Sequence, residues 1–141
     1  MEDKSIKILL IEDDDIDAMS IERGFRKAKI ANRIVRAKDG LEALSILRGE
    51  KGASPFLKPY IIFLDLNMPR MDGFEFLSAM RADAKLCHDI VFVLTTSKAD
   101  EDRGRAYFQN VAGYVVKAKA GEDFLNLVAM IDHYWRVVEL P

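Results

Sequence analysis

The stretch that most constrains this chain is Tyr60 to Gly73, YIIFLDLNMPRMDG. Its apolar run, with β-branched and aromatic members, reads as a fully buried strand that stops abruptly on an acid, Asp65. Pro69 lacks an N–H and has a fixed φ, so the strand cannot continue through it. The carboxylate is therefore expected at the C-terminal edge of a strand, beside a tight loop. In open parallel α/β sheets the loops at that edge form the ligand crevice. An isolated Asp in such a place is as readily a helix cap or a solvent-facing loop acid, so its company decides.

The rest of the chain repeats the same alternation. Ile6 to Ile11 is a second apolar strand, interrupted only by Lys7, and it runs into Glu12, Asp13, Asp14 and Asp15. From Asp15 to about Ala28 the positions Ala18, Ile21, Phe25 and Ala28 recur at helical spacing, behind a cap at Asp14 or Asp15. Gly24 within that helix costs about 1 kcal/mol relative to Ala. Asn32 to Ala37 is a short strand punctuated by Arg33 and Arg36, expected at a sheet edge. Asp39 and Gly40 open a helix with Ala43, Leu44 and Leu47 as its buried stripe, ending near Gly49.

A loop-like interval from Gly49 to Pro59 precedes the organising strand, and Asp72 then caps a helix carrying Phe74, Leu77 and Met80. Asp89 marks a turn before a strand from Ile90 to Leu94, which ends on Thr95, Thr96 and Ser97. Ala99 to Asn110 reads as a polar helix with only Ala106, Tyr107 and Phe108 as a core face, hence weakly anchored. Ala112 to Val116 is the fifth strand, ending on Lys117. A last helix from Gly121 or Glu122 to about Val138 carries Phe124, Leu127, Val128, Ile131 and Trp135. Five strands alternating with five helices predict an α/β fold, a five-stranded parallel sheet with helices on both faces, because parallel strands need right-handed crossovers. One domain over residues 1–141 is expected, with no second domain after it.

Composition narrows the function classes. Hydrophobic residues are 50% and charged residues 31%, a globular balance, and a formal charge of -2 offers nucleic acid no electrostatic footprint. The single cysteine, Cys87, excludes an intrachain disulfide and a CxxC metal or redox site, which favours an intracellular compartment. The N-terminal apolar run is too short for a membrane span and is followed by acids, not by a small-residue cleavage site. A cytoplasmic protein is expected, without membrane contact.

If the strands are parallel, their C-terminal ends share one edge, and Glu12, Asp13, Asp65, Thr95 and Lys117 meet in one pocket. Three neighbouring carboxylates repel unless a cation sits among them, and a hard divalent metal is the ordinary solution. Mg²⁺ suits one or two carboxylates with a carbonyl and waters. The chemistry this favours is phosphoryl transfer, with a carboxylate attacking phosphorus to give an acyl phosphate. Asp65 is the candidate nucleophile. Lys117 would add a fixed positive charge and the Thr95 hydroxyl a hydrogen bond.

At this point the chain resembles the receiver domain of bacterial two-component response regulators, of the chemotaxis-regulator type, over essentially its whole length. The resemblance rests on ILLIEDD at Ile8 to Asp14, DLNMPRMDG at Asp65 to Gly73, VLTTS at Val93 to Ser97 and GYVVK at Gly113 to Lys117. It implies a flavodoxin-like fold and makes Asp65 the phosphoacceptor. It makes Glu12 and Asp13 the acidic pair that binds Mg²⁺ and the Asn67 backbone carbonyl a further ligand. Asp14 is left as a helix cap, Thr95 is the switch hydroxyl and Lys117 the phosphate-pairing lysine. Tyr114 is the aromatic that turns inward when Thr95 is drawn to the phosphate, a two-state element biased by one covalent charge.

One departure stands out: Ala118 follows the lysine where the family usually has Pro. A cis peptide without Pro costs roughly 2.5 to 4 kcal/mol, so a trans bond is expected and Lys119 is an alternative to Lys117. A narrower resemblance, to single-domain regulators paired with phytochrome-type kinases, rests on the Gly49 to Pro59 loop, the LTTS run and HYW at His133 to Trp135. It implies a sensor histidine kinase as donor, a downstream protein or histidine phosphotransfer protein as recipient, and a homodimer through the fourth helix, fifth strand and fifth helix. The apolar tail of Val137, Val138 and Leu140 would fit a partner-covered surface.

Two readings of other classes compete. A phosphohydrolase working through an aspartyl phosphate would carry a second Asp two residues after the nucleophile to protonate the leaving group, and Asn67 stands there. A phosphate-independent docking or dimerisation module has only Ala118 in its favour. A stand-alone phospho-accepting domain with slow self-hydrolysis, its water route flanked by Asn67 and Ser97, is therefore expected rather than an enzyme. His88 and His133 show no metal-ligand spacing.

Overall fold

A computed structural model of the chain describes residues 6–27, 32–50, 56–68, 70–95, 99–116, 129–131, 133–134 and 137–141. Strands β1 (Lys7–Ile11), β2 (Ile34–Ala37), β3 (Tyr60–Leu64), β4 (Val91–Thr95) and β5 (Gly113–Val116) alternate with helices α1 (Asp15–Lys27), α2 (Gly40–Arg48), α3 (Gly73–Ala82) and α4 (Asp100–Phe108). Residues 129–131, 133, 134 and 137 are helical as well. The strands form one parallel sheet in the order β2-β1-β3-β4-β5, as the alternation requires.

Successive strand residues point to opposite faces, and the core divides accordingly. Leu9, Ile11, Ile62, Leu64, Val91 and Val93 pack with Leu44 and Leu47 of α2, with Phe76, Leu77 and Met80 of α3, and with Ala106 of α4. Ile8, Leu10, Ile61, Phe63, Phe92 and Leu94 meet Ala18, Ile21 and Phe25 of α1, and Ile131, on the other face. β3 and β4 are buried throughout, whereas β2 and β5, at the edges, are mostly half-buried.

Helices α1, α2 and α3 begin where the sequence supplies a side-chain cap, whereas α4 starts behind Ala99 without one. Asp14 accepts from the Asp17 amide at 2.9 Å, which selects it over Asp15 as the cap of α1. Asp39 caps α2 through the Glu42 amide at 2.9 Å, and Gly49 ends that helix at φ 69°, a left-handed conformation that glycine adopts freely. Asp72 and Glu75 form a capping box on α3. Opposite the crevice, the Arg81 guanidinium donates to the carbonyls of Cys87, Asp89, Gln109 and Asn110, joining the end of α3 to the turns around β4.

Several expectations need correction. On α3 the fully buried aromatic is Phe76; Phe74 is half-buried, its ring under the Arg105 guanidinium at 3.8 Å. On α4 only Ala106 is buried, and Tyr107 and Phe108 face outward at 48% and 84% exposure, so the helix touches the core more thinly than its sequence suggested. β2 begins at Ile34, not Asn32, and β4 runs through Thr95, which is its last residue. Val137 and Val138 are exposed, but Leu140 folds back onto the α1-side core and is no part of an open apolar tail. The start of the last helix, Trp135 and the Lys117-Ala118 step lie outside the described residues.

Candidate functional site

The site follows from strand register. β1 and β3 are adjacent and pair Ile11 with Leu64, so the next residue on each strand, Glu12 and Asp65, emerges side by side. The Asp65 amide donates to the Ile11 carbonyl at 3.0 Å, and the Glu12 amide to the Ala37 carbonyl at 3.0 Å, which fixes both backbones at the sheet edge. Between β1 and β3 the strand order reverses, with β2 on one side and β4 and β5 on the other. That is the switch point at which doubly wound sheets open a crevice.

Carboxylate oxygens of Glu12, Asp13 and Asp65 lie within 4.8 Å of one another. Glu12 and Asp65 are buried, at 1% and 7% exposure, while Asp13 is open to solvent. Among the described residues this is a donor set of oxygen only, hard and anionic. It fits a divalent cation of the Mg²⁺ kind, since a like-charged cluster in a crevice needs compensating charge.

The loop after Asp65 is shaped by short local contacts. The Asn67 amide donates to Asp65 Oδ1 at 3.3 Å, a long bond that turns the backbone around the carboxylate. The Gly73 amide donates to the Leu66 carbonyl at 2.9 Å, and a Cβ at Gly73 would stand 2.6 Å from Leu66 Cα and 2.7 Å from the Asp65 carbonyl oxygen. The DG of the sequence thus combines a helix cap with a close backbone approach that a side chain would obstruct.

Thr95, fully buried, ends β4 one strand away from Asp65, and β5 pairs Val93 with Tyr114 and Thr95 with Val116. Tyr114 is half-buried against the core that contains Val93. The structure therefore brings Glu12, Asp13, Asp65, Asn67 and Thr95 to one edge of the sheet, with Tyr114 beside it on β5. Lys117, Lys119 and Ser97 lie outside the described residues.

Two arginines brace this edge, and the sequence by itself marks neither for that role. Arg36, on β2, donates from Nε to the Glu12 carbonyl at 3.0 Å and from its two terminal nitrogens to the Asp13 carbonyl at 3.1 Å and Asp15 Oδ1 at 2.6 Å. Its hydrogen bond holds the exposed Asp15 carboxyl below the ordinary range. Arg70, at φ 63°, pairs with Asp39 at 2.5 Å and ties the β3–α3 loop to the start of α2. The only sequence signal for the first was a basic residue interrupting an edge strand; for the second there was a basic residue inside a turn motif.

At the opposite end of β3 and β4 lies a further buried acid. Asp89, 3% exposed, accepts from the Tyr60 hydroxyl and faces Lys58 at 3.6 Å. Burial pushes the Asp89 carboxyl and the Tyr60 hydroxyl up from their ordinary values. The sequence showed only a turn residue there, because its partners are distant along the chain. His88 and His133 are exposed.

Comparison with known proteins agrees with this geometry. The family model described as the response regulator receiver domain matches residues 8–129. The probable methanogenesis regulatory protein FilR2 of Methanothrix harundinacea is 40% identical over 91% of this chain and 82% of its own length. Response regulator Rcp1 of Synechocystis is 34% identical over 95% of this chain and 92% of its own. The solved structure of Rcp1 in its Mn²⁺-bound form superposes with a TM-score of 0.82 at 31% identity, covering 96% of this chain and 99% of that one. The phosphorylated cyanobacterial phytochrome response regulator RcpA superposes with a TM-score of 0.84 at 31% identity, covering 97% of this chain and 99% of that one. The chain belongs to the response regulator receiver domain family, the receiving module of two-component signalling.

Proposed function

We propose that this chain, as one receiver unit over residues 1–141, takes a phosphoryl group from a sensor histidine kinase onto Asp65 and passes the signal on through an altered protein-binding surface. The observation that carries this reading is the meeting of Glu12, Asp13 and Asp65 at the sheet's switch point, their carboxylate oxygens within 4.8 Å. Glu12, Asp13, Asp65 and the Asn67 carbonyl would hold Mg²⁺, which when bound neutralises charge on the phosphoryl oxygens. An Asp65 carboxylate oxygen bonds to phosphorus as the bond from phosphorus to the donor's imidazole nitrogen breaks, and the imidazole leaves with that electron pair. Lys117 supplies fixed positive charge, and the Thr95 hydroxyl donates to a phosphoryl oxygen. Movement of Thr95 frees room for Tyr114 to turn inward, which changes the β4–β5 surface.

Asn67 has no proton to give a leaving group as an acid would, so hydrolysis of the acyl phosphate is slow self-hydrolysis rather than turnover. Resemblance to the phytochrome regulators supports a phytochrome-type kinase as donor and a histidine phosphotransfer protein or other protein as recipient, acting in the cytoplasm. The outward-facing Tyr107 and Phe108 on α4 support a homodimer through α4, β5 and the last helix.

Intact-protein mass after incubation with acetyl phosphate tests the reading. Wild type gains one phosphoryl group only when Mg²⁺ is present, and Asp65→Asn gains none while keeping its fold by circular dichroism. No gain by wild type would leave a phosphate-independent docking module as the better reading.

A further inference from the structure

Four acids in succession, Glu12 to Asp15, leave β1 and repel one another. The Asp14 amide donates to Glu12 Oε2 at 3.3 Å and the Asp17 amide to Asp14 Oδ1 at 2.9 Å, and the longer-range brace comes from β2. The geometry points to Arg36 as the residue that supplies it: an edge-strand side chain that positions the Glu12–Asp13 pair for Mg²⁺ without itself touching the metal. This inference rests on the metal-site reading above.

Arg36 Nε and one terminal nitrogen fork onto the successive carbonyls of Glu12 and Asp13, at 3.0 and 3.1 Å. Those carbonyls belong to the two residues whose carboxylates join Asp65 in the cluster. The other terminal nitrogen takes Asp15 Oδ1 at 2.6 Å, drawing that acid toward β2. The Arg36 side chain is only 21% exposed; its bond to the Glu12 carbonyl is partly buried, and those to the Asp13 carbonyl and Asp15 lie at the surface. Every one of the three hydrogen bonds uses a donor of a rigid planar fork, a geometry that a lysine ammonium cannot reproduce. Groups that orient metal ligands from behind typically govern affinity by about 10–100-fold.

The sign of the effect separates positioning from charge. Coulomb's law alone says that removing a cation beside a cation site tightens metal binding. Positioning says the opposite.

Mg²⁺ titrated calorimetrically into the wild-type chain, Arg36→Gln and Arg36→Lys tests this, with thermal melts of the metal-free proteins as a check on folding. The expected result is at least about tenfold weaker Mg²⁺ binding in both variants. Labelling by acetyl phosphate should fall at limiting Mg²⁺ and recover to the wild-type rate at saturating Mg²⁺. Unchanged or tighter binding by Arg36→Gln overturns the inference, as does wild-type affinity in Arg36→Lys, which keeps the charge if Arg36→Gln fails to fold. Wild type that takes no Mg²⁺ overturns the metal-site reading itself, and this inference with it; wild-type binding together with unaffected variants removes only the role of Arg36.

Discussion

At Asp39 a carboxylate only 4% exposed keeps its charge because of what surrounds it. Burial, the largest single influence, works against ionisation, yet the Glu42 amide and the Arg70 guanidinium together outweigh it and hold the carboxyl below its ordinary 3.8. A lowered folded-state pKa contributes stability that is present above the unfolded value and is lost as pH falls through the folded one. Asp89, raised by burial, has the opposite sign: its contribution is present below the unfolded value and is lost as pH rises through the folded one. Their opposing slopes overlap in a melt of the wild type alone, so the difference between wild type and Arg70→Gln is the informative quantity. That substitution should destabilise by about 1 kcal/mol at neutral pH, a modest figure because the Arg70 side chain is 61% exposed. The gap should narrow as pH falls below 3.8 and Asp39 protonates, measured by urea unfolding across that range.

The β3–α3 junction shows an element boundary carrying functional geometry. Asp72 stops the loop and starts the helix, and Gly73 lets the first turn of α3 lie against the backbone of Asp65 and Leu66. In Gly73→Ala the gain in helix propensity is at most about 1 kcal/mol. Overlap with backbone atoms at 2.6 and 2.7 Å cannot be relieved by a side-chain rotation, so it wins, with a net loss of about 1–3 kcal/mol. Because the displaced atoms are the carbonyl of Asp65 itself and the next Cα, the rate of phosphoryl labelling should fall further than the loss of folded protein explains. Chemical denaturation and timed mass spectra on the same variant compare the two. α4 is the contrasting element: its cap position is Ala99, which supplies no side-chain cap, and it buries only Ala106. Its polar sequence foretold the weak anchorage. It could not foretell that Tyr107 and Phe108 turn outward, because a nine-residue helix with so weak an apolar stripe leaves its rotation to tertiary contacts.

For the molecule as a whole, what was legible in the sequence is what depends on neighbours along the chain. Five apolar residues ending on Asp65, the acids after Ile11 and the hydroxyl at Thr95 marked strand ends, and parallel topology then brought those ends together. The contacts that crossed long intervals were not legible. Arg36 read as an interruption of β2, Asp89 as a turn residue and Arg70 as part of a loop, since each is defined by a partner twenty or more residues away. Phe74 and Phe76 could not be ranked by spacing alone, as both lie close to the apolar stripe of α3. The family resemblance implied roles that register cannot assign, such as the switch part of Tyr114, and it agreed with the reading of Asp65, the acid that ends the organising strand, as the residue that would form an acyl phosphate. Trapping that acyl phosphate is the most direct check: reduction of the acetyl phosphate-treated protein with tritiated borohydride, then proteolysis and sequencing of the labelled peptide. Tritium at position 65, appearing only when Mg²⁺ was present, is the result expected. Label at Asp13 or Glu12, or equal label without Mg²⁺, would contradict the assignment of Asp65 as the metal-assisted acceptor.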